Sequence, residues 1–324
     1  MVNLILVKYK RSCGCIYIYF EINQHIMTAM IFPGQGSQSV GMSKDFYDNF
    51  KIARNTFEEI QDYTNLDLKK IIFENQNNSL DITNFTQISI FTASMSIFKT
   101  IENEKDLNSL SVDIMLGHSL GEYTSLACSQ KINLKETSII LKNRGQLMNN
   151  AVSINETGMA ALIGCDSNTI NEIITKNKID LEIANDNSPI QVVVSGKNAE
   201  IDKSKEIFLS NNVKRFVKLN VSAAFHSKFM NDAQKSLSIE IEKLNFQKNN
   251  VKIISNYTAD ISSDNSIIKK ALKNQMANKV RWTQSIKKLE EVRERKIIEI
   301  GPSNVLSGLI KRISNTFDIV SINN

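Results

Sequence analysis

The sequence predicts an α/β fold in which a large domain with a largely parallel sheet carries a smaller inserted subdomain. Short β-rich runs alternate with amphipathic helical runs from Ala29 onward, which is typical of a parallel sheet covered by helices. The length of 324 residues exceeds the usual size of a single hydrophobic core. Between residues 154 and 221 the order of the runs changes, which indicates a separate unit.

The large domain is predicted to consist of residues 27–153 and 222–324. Its first part is predicted to contain strands at 30–32 and 112–116 and helices at 43–61, 85–102 and 120–129. Its second part is predicted to contain helices at 228–244, 265–278, 282–294 and 304–313 and strands at 251–255, 296–300 and 319–322. The return to the earlier alternation indicates that one sheet resumes after the insertion.

Residues 154–221 are predicted to form the smaller subdomain. The pattern predicts strands at 159–164, 181–184, 191–195 and 215–219, with helices at 168–178 and 199–211. This βαββαβ order is the ferredoxin-like arrangement. The segment Asn185–Pro189 is predicted to be a loop between the second and third of these strands.

The first 26 residues differ from the rest of the chain. Basic residues cluster between Lys8 and Arg11, and an aromatic run from Tyr17 to Phe20 follows. A secretory signal would need an unbroken apolar stretch and a small-residue cleavage site, and neither is present. We therefore expect residues 1–26 to be a non-native or disordered extension and Met27 to be the true start, with an extra edge strand as the alternative.

Composition indicates an ordinary globular protein that needs no metal. Apolar residues make up 42% and charged residues 23% of the chain. The net charge of +5 is dispersed, which makes nucleic-acid binding a weak interpretation but suits an acidic protein partner. No apolar run reaches the roughly eighteen residues of a membrane span. The four cysteines and three histidines predict neither a disulfide framework nor a metal site, so a reducing cytoplasm is expected.

The sharpest chemical signal is the run Gly117-His118-Ser119-Leu120-Gly121, which lies between a predicted strand and a predicted helix. A G-x-S-x-G run in that context is a nucleophile elbow, where small flanking residues tolerate a strained turn that exposes the serine hydroxyl at the end of the sheet. The large domain is accordingly expected to be α/β-hydrolase-like, with Ser119 as nucleophile. Taken alone, the pentapeptide could occur by chance or as a plain turn.

A serine hydroxyl is a poor nucleophile without a neighbouring base, and histidine is the usual base at neutral pH. The chain contains only His25, His118 and His226. His25 lies in the doubtful extension, and His118 is fixed beside the serine in the elbow. Elimination therefore leaves His226, for which a structural core histidine is the alternative.

Two further features are less specific. Arg144 lies on a mostly apolar helix, where a bound dicarboxylate half-ester would serve as its partner. A surface or structural ion pair is the more ordinary explanation from the residues alone. The three prolines lie in loops at 33–41, 185–189 and 301–302, the first of which also holds three glycines, and loops after strands are where open α/β sheets form sites. Ordinary turns are the alternative there.

Together these motifs resemble malonyl-CoA:acyl-carrier-protein transacylases and the related acyltransferase domains of fatty-acid and polyketide synthases. The resemblance is carried by Phe32-Pro33-Gly34-Gln35-Gly36-Ser37-Gln38, Gly117-His118-Ser119-Leu120-Gly121-Glu122 and Ala224-Phe225-His226-Ser227. Supporting matches are Asn185-Asp186-Asn187-Ser188-Pro189 and Glu299-Ile300-Gly301-Pro302. The matches follow the family's order from about Met27 to the C-terminus, whereas the N-terminal extension departs from its pattern.

The resemblance implies a catalytic centre built from five residues. The backbone N–H groups of Gln35 and Leu120 would form the oxyanion hole for an intermediate on Ser119. The backbone carbonyl of Gln275 would orient His226, which gives a Ser-His dyad without a carboxylate.

The resemblance also implies residues that recognise the substrate. Arg144 would pair bidentately with the free carboxylate of a malonyl group. Asn185 and Asn187 would line the thioester channel. The bulky ring of Phe225 would favour malonyl over branched methylmalonyl groups.

The function implied is transfer of a malonyl group from malonyl-CoA to the phosphopantetheine thiol of acyl carrier protein, by ping-pong kinetics and without a cofactor, in fatty-acid synthesis. The carrier protein is acidic in this family, so either Lys311 and Arg312 or Lys287 and Lys288 would form its docking patch; solvated helix faces are the alternative. We expect the protein to be a monomer.

Two other functions fit parts of the pattern. A serine thioesterase or esterase would use the same elbow but would need an Asp or Glu as the third member of a triad, and it would tolerate loss of Arg144. A carrier-binding scaffold with an inactive site would form no covalent adduct.

Overall fold

The strands fall into three sheets. The computed structural model describes residues 8–12, 15–19, 28–104, 112–153 and 156–323. Its strands are β1 (Lys8–Ser12), β2 (Cys15–Tyr19), β3 (Thr28–Phe32), β4 (Val112–Gly117), β5 (Thr157–Ile163), β6 (Leu181–Ser188), β7 (Gln191–Lys197), β8 (Arg215–Lys218), β9 (Lys252–Ile254), β10 (Ile261–Ser262), β11 (Lys296–Ile300) and β12 (Asp318–Ile322). Strands β3, β4 and β9 to β12 form a six-stranded sheet, β5 to β8 a four-stranded sheet, and β1 and β2 a hairpin.

The α-helices cover these sheets. They are α1 (Lys44–Asn49), α2 (Lys51–Thr64), α3 (Thr83–Glu104), α4 (Leu120–Cys128), α5 (Leu134–Asn149), α6 (Ser167–Asn177), α7 (Asn198–Ser210), α8 (Asn231–Lys243), α9 (Asn265–Lys273), α10 (Trp282–Glu291) and α11 (Val305–Ile313). Within the described ranges, none of the helices is long and apolar enough to span a membrane.

The six-stranded sheet has the order β10-β9-β4-β3-β11-β12. Every neighbouring pair is parallel except β10 and β9. Met30 and Phe32 of β3 pack with the cluster that includes α2, α3 and α5, whereas Ala29 and Ile31 pack on the opposite side with α10 and α11. A strand covered on both faces must be apolar at every position, which explains this continuous apolar run.

The four-stranded sheet has the order β6-β7-β5-β8 and is antiparallel throughout. Helices α6 and α7 pack on one of its faces, where Ile170, Ile201 and Phe208 join the alternate residues of β5 and β7. The order of elements is the predicted βαββαβ. The predicted fold class, an α/β protein with a parallel sheet and a separate smaller sheet, is thus confirmed; the exact domain boundaries stay predictions.

Three predicted elements differ from the observed ones. The helix predicted at 43–61 is interrupted at Phe50, whose extended backbone lets its ring stack on Phe46 at 5.8 Å. The segment predicted as a loop at 185–189 belongs to β6 as far as Ser188, because it continues the antiparallel pairing with β7; Asn185 also forms an isolated parallel bridge with Val280. The helix predicted at 265–278 ends at Lys273, and the turn that follows contributes to the site described below.

Ten residues of the predicted non-native or disordered extension form a two-stranded hairpin. Lys8–Ser12 and Cys15–Tyr19 pair with each other in antiparallel register, and within the described ranges neither joins the six-stranded sheet. The other residues of the predicted extension lie outside the described part of the chain. The start at Met27 stays a prediction.

Candidate active site

Ser119 lies in a strained turn between β4 and α4. Its backbone has φ 54° and ψ −108°, a conformation that non-glycine residues rarely adopt and that functional sites often hold. The two flanking glycines allow the turn to pack closely. An added Cβ at Gly117 would lie 2.1 Å from the backbone of Gly121, and one at Gly121 would lie 2.1 Å from the carbonyl oxygen of Phe32. The geometry is that of the predicted elbow.

The side chain of Asn256 fixes this turn from the neighbouring strand. Its Oδ1 accepts a hydrogen bond from the Ser119 N–H at 2.7 Å, and its Nδ2 donates to the carbonyl of Gly117 at 2.7 Å. Asn256 is buried and lies just beyond β9, which is parallel to β4. A fixed amide therefore holds the two ends of the turn.

His226 lies at hydrogen-bonding distance from Ser119. Its Nε2 is 2.9 Å from the serine Oγ. Its Nδ1 is 3.1 Å from the backbone carbonyl of Gln275 and 3.2 Å from that of Asn278. Because both carbonyls can only accept, Nδ1 carries the proton and Nε2 is left to accept from the hydroxyl. These carbonyls are available because α9 ends at Lys273, before either residue.

Burial keeps both histidines of the site neutral. Burial, together with the nearby Arg144 charge, lowers the pKa of His226 to about 3. Burial lowers the pKa of His118 to about 4. The His118 ring points away from the nucleophile: its Nε2 lies 2.8 Å from Oδ1 of Asn187 and 3.4 Å from Nδ2 of Asn185. His118 therefore contacts the two predicted channel asparagines, and His226 alone faces the hydroxyl.

Arg144 is a buried cation beside the nucleophile, with only 1% of its surface exposed. One Nη2 group lies 3.1 Å from Oγ of Ser119 and 3.0 Å from Oε1 of Gln275, and Nη1 donates to Oε1 of Gln87. Its guanidinium also lies over the ring of Tyr123, 5.4 Å from the centroid. Burial lowers the pKa of Arg144. Within the described chain, Arg144 donates its hydrogen bonds to neutral oxygens and forms no direct ion pair, although the nearby Glu122 carboxyl interacts with it electrostatically.

Gln35 and Leu120, the two predicted oxyanion-hole residues, both lie at the wall of the cavity that contains Ser119. Leu120 is the first residue of α4, so its N–H is one of those that a helix leaves without an intrahelical partner. Gln35 follows β3 in the Pro33–Gly36 turn, and its side chain donates to Oγ1 of Thr83 at 3.3 Å. Both residues line the same cavity as Ser119.

The cavity has a volume of about 360 Å³. It lies between the carboxyl ends of β3 and β4 and the face of the four-stranded sheet that α6 and α7 leave uncovered. The predicted site residues among its lining are Gln35, Ser119, Leu120, Arg144, Asn185, Asn187, Phe225 and His226. Gln275 is 1% exposed; its side chain accepts a hydrogen bond from Arg144, and its backbone carbonyl accepts one from His226.

Sequence reasoning missed three contributors to this site. Asn256 follows a predicted parallel strand, and its position at the carboxyl end of that strand was an available signal. Gln87 is a buried amide on α3, among several buried serine and threonine side chains. Glu122 is the last residue of the elbow motif, fully buried, and burial raises its pKa to about 7. No pattern linked these residues to each other before the fold was known.

The sequence profile of the acyl transferase domain matches residues 29–320. The chain belongs to the acyl transferase domain family. The family resemblance predicted from the motifs is therefore confirmed, and the chain is an acyltransferase.

Similar proteins agree with this membership. The acyltransferase is 32% identical over 297 residues to a malonyl CoA-acyl carrier protein transacylase of Bacillus subtilis, covering 91% of this chain and 92% of the relative. The crystal structure of an acyl-carrier-protein S-malonyltransferase from Bartonella henselae has a TM-score of 0.88 and 34% identity, covering 92% of this chain and 96% of that one. A type II PKS acyl-carrier protein in complex with its malonyl-transacylase matches with a TM-score of 0.86 and 31% identity, covering 92% of this chain and 96% of that one.

No group of three or more histidine, cysteine, aspartate or glutamate side chains that could hold a metal ion occurs among the described residues. The prediction that the acyltransferase needs no metal or other cofactor stays a prediction.

Proposed function

We propose that this acyltransferase moves a malonyl group from malonyl-CoA to the phosphopantetheine thiol of acyl carrier protein through a malonyl ester on Ser119. One observation carries the proposal: the serine Oγ lies 2.9 Å from Nε2 of His226 and 3.1 Å from Nη2 of Arg144 in one cavity. A nucleophile, a base and a cation thus meet where an acyl group with a free carboxylate would bind. The names of the similar proteins support the same donor and acceptor.

In the first half-reaction, Ser119 Oγ attacks the thioester carbonyl while His226 Nε2 takes the hydroxyl proton. The carbonyls of Gln275 and Asn278 hold the imidazole and stabilise the positive charge that it gains. The N–H groups of Gln35 and Leu120 bind the oxyanion of the tetrahedral intermediate, and one such donor is typically worth about 3 to 4 kcal/mol. Collapse breaks the C–S bond, and His226 returns the proton to the departing CoA thiolate.

In the second half-reaction, the thiol of the carrier protein gives its proton to His226 and attacks the malonyl ester. The C–O bond to Ser119 breaks, and the histidine returns the proton to the serine oxygen. The enzyme is regenerated, and each substrate uses the same dyad in turn. Ping-pong kinetics follow from this order.

Arg144 is proposed to select acyl groups with a free carboxylate. Its guanidinium offers a planar fork that matches a carboxylate, and its burial strengthens the attraction. Its hydrogen bonds go to neutral acceptors, and within the described chain no carboxylate forms a direct ion pair with it, which leaves the fork available for the substrate. Phe225, 4% exposed at the cavity wall, is proposed to exclude a branch on the malonyl carbon, and Asn185 and Asn187 to line the thioester channel.

The two basic pairs predicted to dock the carrier protein, Lys311 with Arg312 and Lys287 with Lys288, differ in their contacts with the cavity. Arg312 Nη1 donates to Oε1 of Gln191 at 2.8 Å, and Gln191 lines the cavity. Lys288 instead pairs with Glu291 on its own helix. We therefore favour Lys311 and Arg312 as the docking patch for the acidic carrier protein. We further propose that the protein acts as a monomer in the cytoplasm and supplies fatty-acid synthesis.

The test is the intact mass of the protein after mixing with malonyl-CoA, with Ser119→Ala as the control. The proposal predicts one malonyl adduct on the wild type, none on the variant, and loss of the adduct when holo carrier protein is added, with malonyl appearing on the carrier. Steady release of free malonate without carrier would indicate a thioesterase. Absence of any adduct would indicate a scaffold with an inactive site. Either result would overturn the proposal.

A further inference from the structure

The side chain of Gln275 contacts several parts of the active site at once. Its Oε1 lies 3.0 Å from Nη2 of Arg144. Its Nε2 lies 2.8 Å from the carbonyl of Ser119 and 2.7 Å from Oε2 of Glu122. These contacts are separate from the bond between its backbone carbonyl and His226. One buried amide therefore joins the guanidinium, the elbow and a buried carboxyl group.

These contacts permit only one orientation of the amide. The Nε2 group has two hydrogens, and each faces an acceptor: the Ser119 carbonyl or the Glu122 carboxyl. Rotating the amide by half a turn would place Oε1 against those two oxygens and the NH₂ group against the Arg144 cation. Both new contacts would be repulsive. The surrounding groups therefore lock Oε1 toward Arg144.

Glu122 is the fixed end of this connection. It is fully buried, and its Oε2 also accepts the backbone N–H of Asn256 at 3.1 Å. Asn256 in turn holds the elbow through its side chain. Glu122 is thus hydrogen-bonded to the residue that follows β9, and the Gln275 amide connects Glu122 to the Arg144 guanidinium.

The Gln275 amide is one of two amides that direct the Arg144 fork, and the guanidinium also lies over the ring of Tyr123. Gln87 receives Nη1, whereas Nε has no hydrogen-bond partner within the described ranges. The Nη2 group that Gln275 holds is the same one that lies 3.1 Å from the nucleophile Oγ. A shift of this group would displace the cation from the place where the substrate carboxylate is proposed to bind.

We infer that the Gln275 side chain is a positioning residue for substrate selection: its amide, anchored on Glu122 and the Ser119 carbonyl, holds the Arg144 guanidinium in the orientation that receives the malonyl carboxylate. The inference rests on the proposed function. It is distinct from the role of the Gln275 backbone carbonyl, which orients the histidine and which any residue at this position can supply.

The test uses Gln275→Met, which keeps the length of the side chain and the backbone carbonyl but removes the amide. Two rates are measured on the full-length protein: malonyl adduct formation from malonyl-CoA, and labelling of Ser119 by phenylmethanesulfonyl fluoride, a neutral probe. We expect the malonyl rate at low substrate concentration to fall about tenfold, the size of one hydrogen bond to a charged group. We expect the labelling rate to change less than about twofold, because the dyad is intact.

Gln234→Met is the matched control. Oε1 of Gln234 accepts the N–H of Ala277 at 2.8 Å and so supports the same turn, and among the described residues Gln234 forms no hydrogen bond with Arg144 or Glu122. It is expected to leave both rates near wild type. If Gln275→Met does not fold, Gln275→Asn takes its place. The asparagine side chain is too short to reach both Arg144 and Glu122, so the same changes in the malonyl rate and the labelling rate are expected.

Three outcomes would overturn the inference: an unchanged malonyl rate in the Gln275 variant, an equal fall in both of its rates, or the same selective loss in the Gln234 variant. Failure of the proposed function is recognised separately, because the wild type would then form no malonyl adduct at all while Ser119 would still be labelled by the neutral probe.

Discussion

Replacing Arg144 by methionine tests how the active site recognises a charged acyl group. The variant keeps an unbranched side chain but removes the cation and both of its terminal donors. A hydrogen bond to a charged group contributes about 1.5 to 3 kcal/mol, so two parallel bonds from the buried guanidinium to a carboxylate are worth about 3 to 6 kcal/mol. That range corresponds to a loss of about 10²- to 10⁴-fold in kcat/KM for malonyl-CoA.

The assay compares malonyl-CoA with acetyl-CoA, since acetyl lacks the carboxylate. We expect Arg144→Met to lose malonyl transfer while its acetyl transfer stays within a few-fold of the wild type, so that the preference collapses. Arg144→Lys is the matched variant: it keeps the charge but cannot form the planar fork, and intermediate activity is expected. The reasoning would be refuted if the preference for malonyl survived in Arg144→Met, or if both substrates lost activity equally.

Three other predictions concern the elbow, the base and the pocket wall. Gly121→Ala is expected to lower the free energy of unfolding in denaturant by at least about 3 kcal/mol, because its Cβ would lie 2.1 Å from the Phe32 carbonyl oxygen. Gly308→Ala lies in α11 with open space around it and is expected to raise that free energy by about 0.5 to 1 kcal/mol. Equal effects of the two substitutions would contradict this. Because the pKa of His226 is lowered to about 3, Nε2 stays unprotonated well below neutrality. The rate at which a sulfonyl fluoride labels the serine should therefore be constant from about pH 8 to about pH 5. A labelling rate that fell with a midpoint near the ordinary histidine pKa of 6.5 would contradict this prediction. Phe225→Ser should raise methylmalonyl relative to malonyl transfer about tenfold in a competition assay, and an unchanged ratio would remove the ring from the selectivity argument.

Local patterns predicted the elbow and the main elements because those depend on neighbouring residues. The strand before Ser119, the helix after it and the two glycines lie within a short segment, and their spacing alone predicts the strained turn. His226 was predicted by elimination among three histidines, and its distance from Ser119 agrees with that choice. The alternation of strands and helices likewise predicted both sheets.

Contacts between distant segments were harder to predict. The helix predicted through residue 278 has apolar periodicity, and nothing in that pattern indicated that it would end at Lys273 to present two carbonyls to the histidine. The isolated bridge between Asn185 and Val280 also joins segments far apart in the chain. Glu122 accepts hydrogen bonds from Asn256 and Gln275. Those two residues are far from it in the chain, so only the folded structure shows that they meet.

The central claim is that the serine ester is a true intermediate between two thiols. The most direct measurement is to prepare the malonylated protein, remove all CoA and mix it with holo carrier protein in a single turnover. The proposed mechanism predicts that one malonyl group per enzyme moves to the carrier thiol and that unmodified enzyme is recovered. Release of free malonate with an unmodified carrier, or a malonyl ester that persists unchanged, would contradict it.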